Sequence, residues 1–382
     1  MLRDVDSVEA LAKTPLLSDP VTCEKSPFRL ADLIDEAAHL VTRYVRLPVP
    51  ALAVLLAVWI AATYTYEHFL FCGYLALRSA TPRCGKSRLL RLIAGLMLGA
   101  PKPNTNPTPA VLFRSQKKTM ALDEVDRLRN ADRENFGQVI ALLNVGFEQG
   151  AVVERTEKTK GGSFEVREYP VYRPIALAGV ESLADALSDR CFQIQMERTA
   201  ARMPRFSPRA LAPLFEQLRA WFQIWADIHG ADASNAYEQL PDEVPALSDF
   251  DDRFQDISEP LVVLAAMADQ ERPEGPAVLP RLLDGLKTAA GRREPSGRER
   301  ELIAFLEIVE PILNGAETAF VASAALVDLC AEREELSRIE TARQLAGFLK
   351  HFDLFPKSRG GKVRGYDISR EWVTEWQERY RT

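Results

Sequence analysis

Histidine and cysteine are scarce in this chain of 382 residues, with four of the first (His39, His68, His229, His351) and five of the second (Cys23, Cys72, Cys84, Cys191, Cys330). No HExxH and no CxxC occurs, so a histidine-held zinc, a zinc ribbon and a dithiol redox couple are all excluded as expectations. An odd number of dispersed cysteines also argues against a disulfide framework and for the reduced thiols of a cytoplasmic protein. An excess of positive charge is missing too. With a net charge of -6 and a pI near 5.5, any hold on nucleic acid has to come from a local basic patch. The start MLRDVDSVEA lacks the basic and apolar regions of a signal peptide. Leu47 to Tyr66 carries no charge, but Pro48 and Pro50 delay the helix to about Ala51 and Thr63 to Tyr66 end it with polar tips. About four turns remain, which predicts a buried helix and no membrane span.

What is present is enough apolar sequence, 47% of the chain, for two or three domains. Residues 1–26 lack periodicity and read as a mobile lead-in. In 27–68, Leu30, Leu33, Ile34, Ala37, Leu40, Val41 and Val45 recur at helical spacing ahead of the apolar helix, which predicts a helical prefix. Residues 69–200 alternate strand and helix, the pattern of a parallel sheet with crossover helices. Within them AVVERTEK and SFEVREYPVY flank the turn Thr159 to Gly162 and predict an inserted β-hairpin. Residues 201–300 read as a helical lid, with a helix capped by Ser207-Pro208 running to about Ile228. Ten Asp or Glu against one basic residue, Arg253, then give residues 227–259 the look of an acidic linker. Residues 301–382, structured from near Ala319, have the helix, helix, hairpin, helix order of a winged helix.

The chemistry is carried by Ala80-Thr81-Pro82-Arg83-Cys84-Gly85-Lys86-Ser87, a Walker A pattern between an apolar strand and a helix. In such a loop backbone N–H groups cradle phosphate, Lys86 neutralises charge between the β and γ phosphates, and Ser87 reaches Mg²⁺. The strand Met120-Ala121-Leu122 ends in Asp123 and Glu124, the pair that would hold the magnesium and deprotonate the attacking water. ATP and Mg²⁺ are therefore the expected cofactors. Two readings fit Arg190 in LSDRCFQIQMER: a finger delivered to a neighbouring subunit's γ-phosphate, or a salt bridge with Asp185, Asp189 or another core acid. Arg198 is a weaker finger candidate, while Arg202, Arg205 and Arg209 suit either a same-subunit nucleotide sensor or plain surface charge. No Asn or Thr ends the strand PIALAGVES, so the polar sensor is Ser182 or is missing.

Lys158 and Lys160 at the hairpin tip suit either a grip on a phosphate backbone in a ring's pore or a plain exposed turn. Lys357, Arg359, Lys362 and Arg364 concentrate positive charge beside Tyr366 and predict a second nucleic-acid contact.

The order CGKS, NPTPAVLFR, LDEVD, LNVGFEQGAVVER, ALAG, LSDR, QLAGFLKHF and RGYDI resembles an AAA+-like P-loop ATPase domain family of bacteria, phages and plasmids, often fused to primases and similar to superfamily III helicases. The resemblance implies a DNA-associated motor acting on single strands, a homo-oligomer of hexameric form, and a primase or replication protein as a separate partner. It assigns the ATP site to Lys86, Ser87, Asp123 and Glu124 and the finger to Arg190. The alternative activity is an ATP-gated switch or assembly ATPase of plasmid maintenance or phage defence, without translocation.

Overall fold

The apolar run before the Walker-type loop forms β1, Tyr74–Arg78, buried along its whole length. The computed structural model describes residues 27–79, 84–105, 107–124, 132–158, 163–179, 185–199, 202–240, 244–291, 297–359 and 363–379. With strands numbered along the chain, Met120–Leu122 (β2), Ile175–Ala178 (β5) and Cys191–Gln195 (β6) lie parallel to β1 in the order β2-β5-β1-β6. Asn104 adds a single parallel bridge to Leu122 outside β2. Strands buried on both faces need helices on both faces, which is why these four read as continuous apolar runs. The fold is thus mixed α/β around a parallel sheet.

The uncharged segment forms the helix Ala51–Thr65, apolar all round and almost wholly buried. It packs against the helices Leu30–Tyr44, Pro208–Glu238, Asp252–Glu271 and Val278–Ala290, and Trp59 Nε1 donates to Gly73 O at 2.7 Å. Burial of each large apolar side chain there stabilises the fold by about 1.5–3 kcal/mol. Arg272 joins the bundle's rim by pairing with Asp32 at 2.9 Å and Asp35 at 2.7 Å. Prefix, sheet and lid helices belong to one compact unit that runs to Arg293.

The acidic linker is corrected: the helix that begins at Pro208 runs to Glu238, and Asp252–Glu271 is helical again. Past Ile228 the helix has few large apolar residues. Close packing sustains it, since a Cβ on Gly230 would sit 2.6 Å from His68 Nε2 and Ala233 is fully buried.

Val152–Lys158 (β3) and Phe164–Pro170 (β4) pair antiparallel, from Val152 opposite Pro170 to Lys158 opposite Phe164. One face of this hairpin is half-buried against the helix Pro109–Arg114. There Tyr169 meets Phe113 with centroids 5.0 Å apart, the Arg155 guanidinium lies 5.1 Å from the Phe113 ring, and Arg114 pairs with Glu157. The other face is exposed.

The second unit begins at Glu294 and has its own core, built from Leu302, Phe305, Leu326, Leu345, Leu349, Tyr366 and Ile368 among others. The expected helices occur at Ser323–Ala331, Ala342–Leu349 and Arg370–Arg379, and the hairpin as Lys357–Arg359 (β8) and Val363–Ser369 (β9). Two elements were not foreseen: the helix Gly297–Leu313 and the strand Thr318–Ala322 (β7), which pairs with β9 to give a sheet of order β7-β9-β8.

Candidate functional site

Parallel strands send all their carboxyl ends to one edge of the sheet, the edge where α/β proteins bind ligands. Here Ser79, Asp123, Gly179 and Met196 follow the four strands. Gly85 caps the helix Lys86–Leu96 with φ +93°. A Cβ there would meet nothing closer than 4.0 Å, so glycine is needed for the left-handed backbone and not for space. The amides that open this helix have no helical acceptors, which makes its start a ready anion site.

Lys86 Nζ donates to Gly179 O at 2.6 Å, so the lysine spans from the loop to the end of β5. Gly179 N in turn donates to Leu77 O at 3.1 Å. Since β5 lies between β1 and β2, this bridge directs the lysine toward the side of the edge where the acidic strand ends. Asp123 N donates to Asn104 O at 2.8 Å, anchoring the chain as β2 finishes. Glu124 then takes φ +56°, at a cost of order 1 kcal/mol for a residue with a side chain. Backbone strain of this kind persists where the surroundings over-determine it, and it gathers at functional sites.

A cleft of about 460 Å³ opens beside the loop, lined by Tyr44, Val45, Arg46, Cys84, Gly85, Lys86, Ser87, Arg88, Thr199 and Met203. The residues present fit a nucleoside triphosphate with its metal: a left-handed glycine, the amides of a helix start, three cations and a hydroxyl surround a polar hollow. Among the described residues no group of three His, Cys, Asp or Glu could hold a metal, so Mg²⁺ would depend on phosphate oxygens together with Ser87 and Asp123. Sequence reasoning missed the prefix and the segment after β6 as walls of this cleft. Tyr44 arrives there because Arg88 Nη1 donates to its carbonyl at 3.2 Å and its ring packs edge-on to Phe206, centroids 5.7 Å apart. No spacing rule could have found it.

Ala80, Thr81, Pro82 and Arg83 lie outside the described residues, as do Ser182, Lys160 and Lys362. Arg198, Arg202, Arg205 and Arg209 are exposed, and Thr199 and Met203 bring their stretch of chain to the cleft.

Arg190 belongs to the opposite edge. Its carbonyl accepts from Tyr74 N at 2.8 Å, and the length of β1, roughly 13 Å at about 3.3 Å per residue, separates it from this chain's own loop. Its guanidinium donates to Ala186 O and lies 4.8 Å from the Phe147 ring centroid, with Arg253 over the same ring at 5.1 Å. Partial burial, and then the charge of Arg253, lower its pKa. Asp189 attracts it and acts in the opposite sense, raising the pKa.

Lys158 is exposed with no ion pair among the described residues. Directly across from it Phe164 is 72% exposed, and Val166 beside it 64%. Sequence reasoning passed over Phe164, although an aromatic beside a lysine at a tip was its signal. In the second unit Lys357 and Arg359 both pair with Asp367, at 3.2 and 3.1 Å, and Arg359 lies 4.7 Å from the Phe320 centroid. Arg364 makes no ion pair among the described residues.

No protein-family model matches the chain, and no curated protein is significantly similar to it. Solved structures that resemble it include the apo NrS-1 C-terminal region, at 11% identity over 94% of this chain and 78% of that one, with a TM-score of 0.33. JCV helicase bound to a small acetamide compound resembles it at 13% identity over 69% and 67% of the two chains, with a TM-score of 0.27. A further JCV helicase structure does so at 13% identity over 75% and 78%, with a TM-score of 0.24. Likeness of this kind is loose, and what the site can do follows from its own residues.

Proposed function

We propose that the chain is a Mg²⁺-dependent ATPase with an AAA+-like P-loop core that acts on nucleic acid as a ring-forming helicase or translocase. The observation that carries this reading is the Lys86–Gly179 bridge, which ties the phosphate-type loop to the sheet edge shared with Asp123 and Glu124. Bound ATP would supply the phosphoryl group and Mg²⁺ the charge withdrawal that transfer to water requires. Gly85 and the amides after it hold the phosphates. Lys86 leaves a neutral carbonyl for an anion, a stronger partner in a site shielded from water. Ser87 and Asp123 hold the metal, and Glu124 takes the proton of the attacking water. Tyr44, Arg46, Thr199 and Met203 shape the space for base and ribose.

Arg190 cannot serve its own loop across the sheet, so its use as a finger requires a neighbouring copy, which supports a head-to-tail oligomer such as a hexamer. Lys158 and Lys160 would hold a strand's phosphates and Phe164 would stack on a base. Lys357, Arg359, Lys362 and Arg364, in a winged-helix-like unit, offer a second contact. The deciding experiment is ATP turnover with and without single-stranded DNA, for the parent and for Lys158→Ala with Lys160→Ala. Stimulation by DNA that the variant loses supports the reading. Turnover indifferent to DNA at low salt refutes it, and nucleotide-dependent assembly without strand displacement selects a switch instead.

A further inference from the structure

In an acidic chain the positive charge of the second unit is concentrated in one stretch. Residues 341–370 hold Arg343, Lys350, Lys357, Arg359, Lys362, Arg364 and Arg370 against only Asp353 and Asp367. The first two lie on and just past the helix Ala342–Leu349, whose sequence explains its exposed face. Thr341 accepts from Gln344 N at 3.3 Å and donates to Gln344 Oε1 at 2.7 Å, a capping pair that starts the helix sharply. Leu345, Phe348 and Leu349 then bury one side. Arg343, Gly347 and Lys350 remain exposed on the other, followed by His351. Neither Arg343 nor Lys350 makes an ion pair among the described residues, and Arg364 on β9 is alike in this. Charge left unneutralised on two separate elements, in a unit otherwise rich in Glu, has a polyanion as its complement.

We infer that Arg343 and Lys350 on the helix, with Arg364 on the side of the hairpin that carries the buried Tyr366 and Ile368, bind duplex DNA. Gly347, between the two helical cations, puts no side chain on the exposed side, so the helix backbone can come close to a groove, and an α-helix has the width of a major groove. Single-strand binding uses a succession of stacking platforms. The unit's exposed large apolar residues among those described are only Phe355 and Val363, and one ring is not a track. The exposed acids Glu332, Glu334, Glu335 and Glu340 precede the helix and repel a duplex from its amino end. Contact therefore centres on the carboxyl end and the hairpin.

The inference does not depend on the ATP site, so its test uses the full chain without nucleotide. A fluorescein-labelled duplex and its labelled single strand are titrated by anisotropy at low and at physiological salt. The parent is expected to hold the duplex about tenfold more tightly than the strand and to weaken steeply with salt. Arg343→Glu with Lys350→Glu, and separately Arg364→Glu, should each weaken duplex binding about tenfold or more, with circular dichroism and melting temperature as in the parent. Lys350→Arg should keep it. Reversed charges with undiminished duplex affinity, or losses equal for duplex and strand, would overturn the inference. Should Arg343→Glu with Lys350→Glu fail to fold, Arg364→Glu decides by the same criteria. Because no ATP is present, an inert nucleotide site leaves either result standing.

Discussion

The two β-hairpins, one in each unit, read alike in sequence as basic tips around paired glycines, and they differ in what surrounds the charge. In the first, Lys158 is exposed opposite Phe164, and Phe164, Val166 and Val152 stand on an exposed face with Glu154 and Glu168 between the two valines. In the second, Asp367 on the neighbouring strand holds both Lys357 and Arg359, and a third strand backs the pair. Charge beside an exposed ring suits a flexible strand whose bases can stack, whereas charge on a sheet backed by a third strand suits a rigid surface of fixed phosphates, with which Asp367 competes. A count of lysines and arginines does not distinguish these cases.

The contrast is tested most severely through the unit that holds the first hairpin. Glu124→Gln should lower ATP turnover about a hundredfold or more, with Mg·ATP binding retained in calorimetry and single-strand stimulation gone. If turnover survives, Glu124 is not the base and the first hairpin has no motor behind it. Next in size is Gly365→Ala. A Cβ at Gly365 would lie 2.2 Å from Val321 O and 2.7 Å from Phe320 Cζ, so β7 and β9 must part or shift. A cost of about 1–3 kcal/mol to that unit is expected, with duplex affinity down about tenfold, measured by thermal melting and anisotropy. Unchanged duplex binding would mean that the backing strand does not matter.

Phe164→Ala should weaken single-strand affinity about tenfold, the worth of one stacked base, and leave duplex affinity as it was. Equal losses on both ligands would erase the distinction between the hairpins. The smallest effect sharpens it: Asp367→Asn frees Lys357 and Arg359, each held by an exposed pair worth about 0.2–1 kcal/mol, so duplex affinity should rise about twofold to fivefold. A fall instead would show that Asp367 positions the two cations and does not merely compete for them.

Much of the candidate ATP site was legible because its parts are local. Gly85 to Ser87 adjoin in sequence, and so do Asp123 and Glu124, each after an apolar strand that ends at the same edge. The helix Gly297–Leu313 was hidden by its charged first turn, although Leu302, Phe305, Leu306, Val309 and Leu313 keep helical spacing. The continuation to Glu238 was hidden for the opposite reason: its apolar signal is weak and its support is packing against His68.

By itself the sequence determined the alternation of strand and helix, the left-handed glycine that a phosphate loop needs, the acidic strand end and the positions of the two hairpins. Each depends on backbone sterics and on residue spacing of a few positions. Only the tertiary structure decided that β5 lies between the two motif strands so that Lys86 reaches Gly179, that Tyr44 walls the cleft, that Arg190 lies on the far edge, and that Asp367 restrains the second hairpin's cations. These are meetings of residues tens of positions apart or across strands. They are set by which buried surfaces fit together, and no local pattern encodes that.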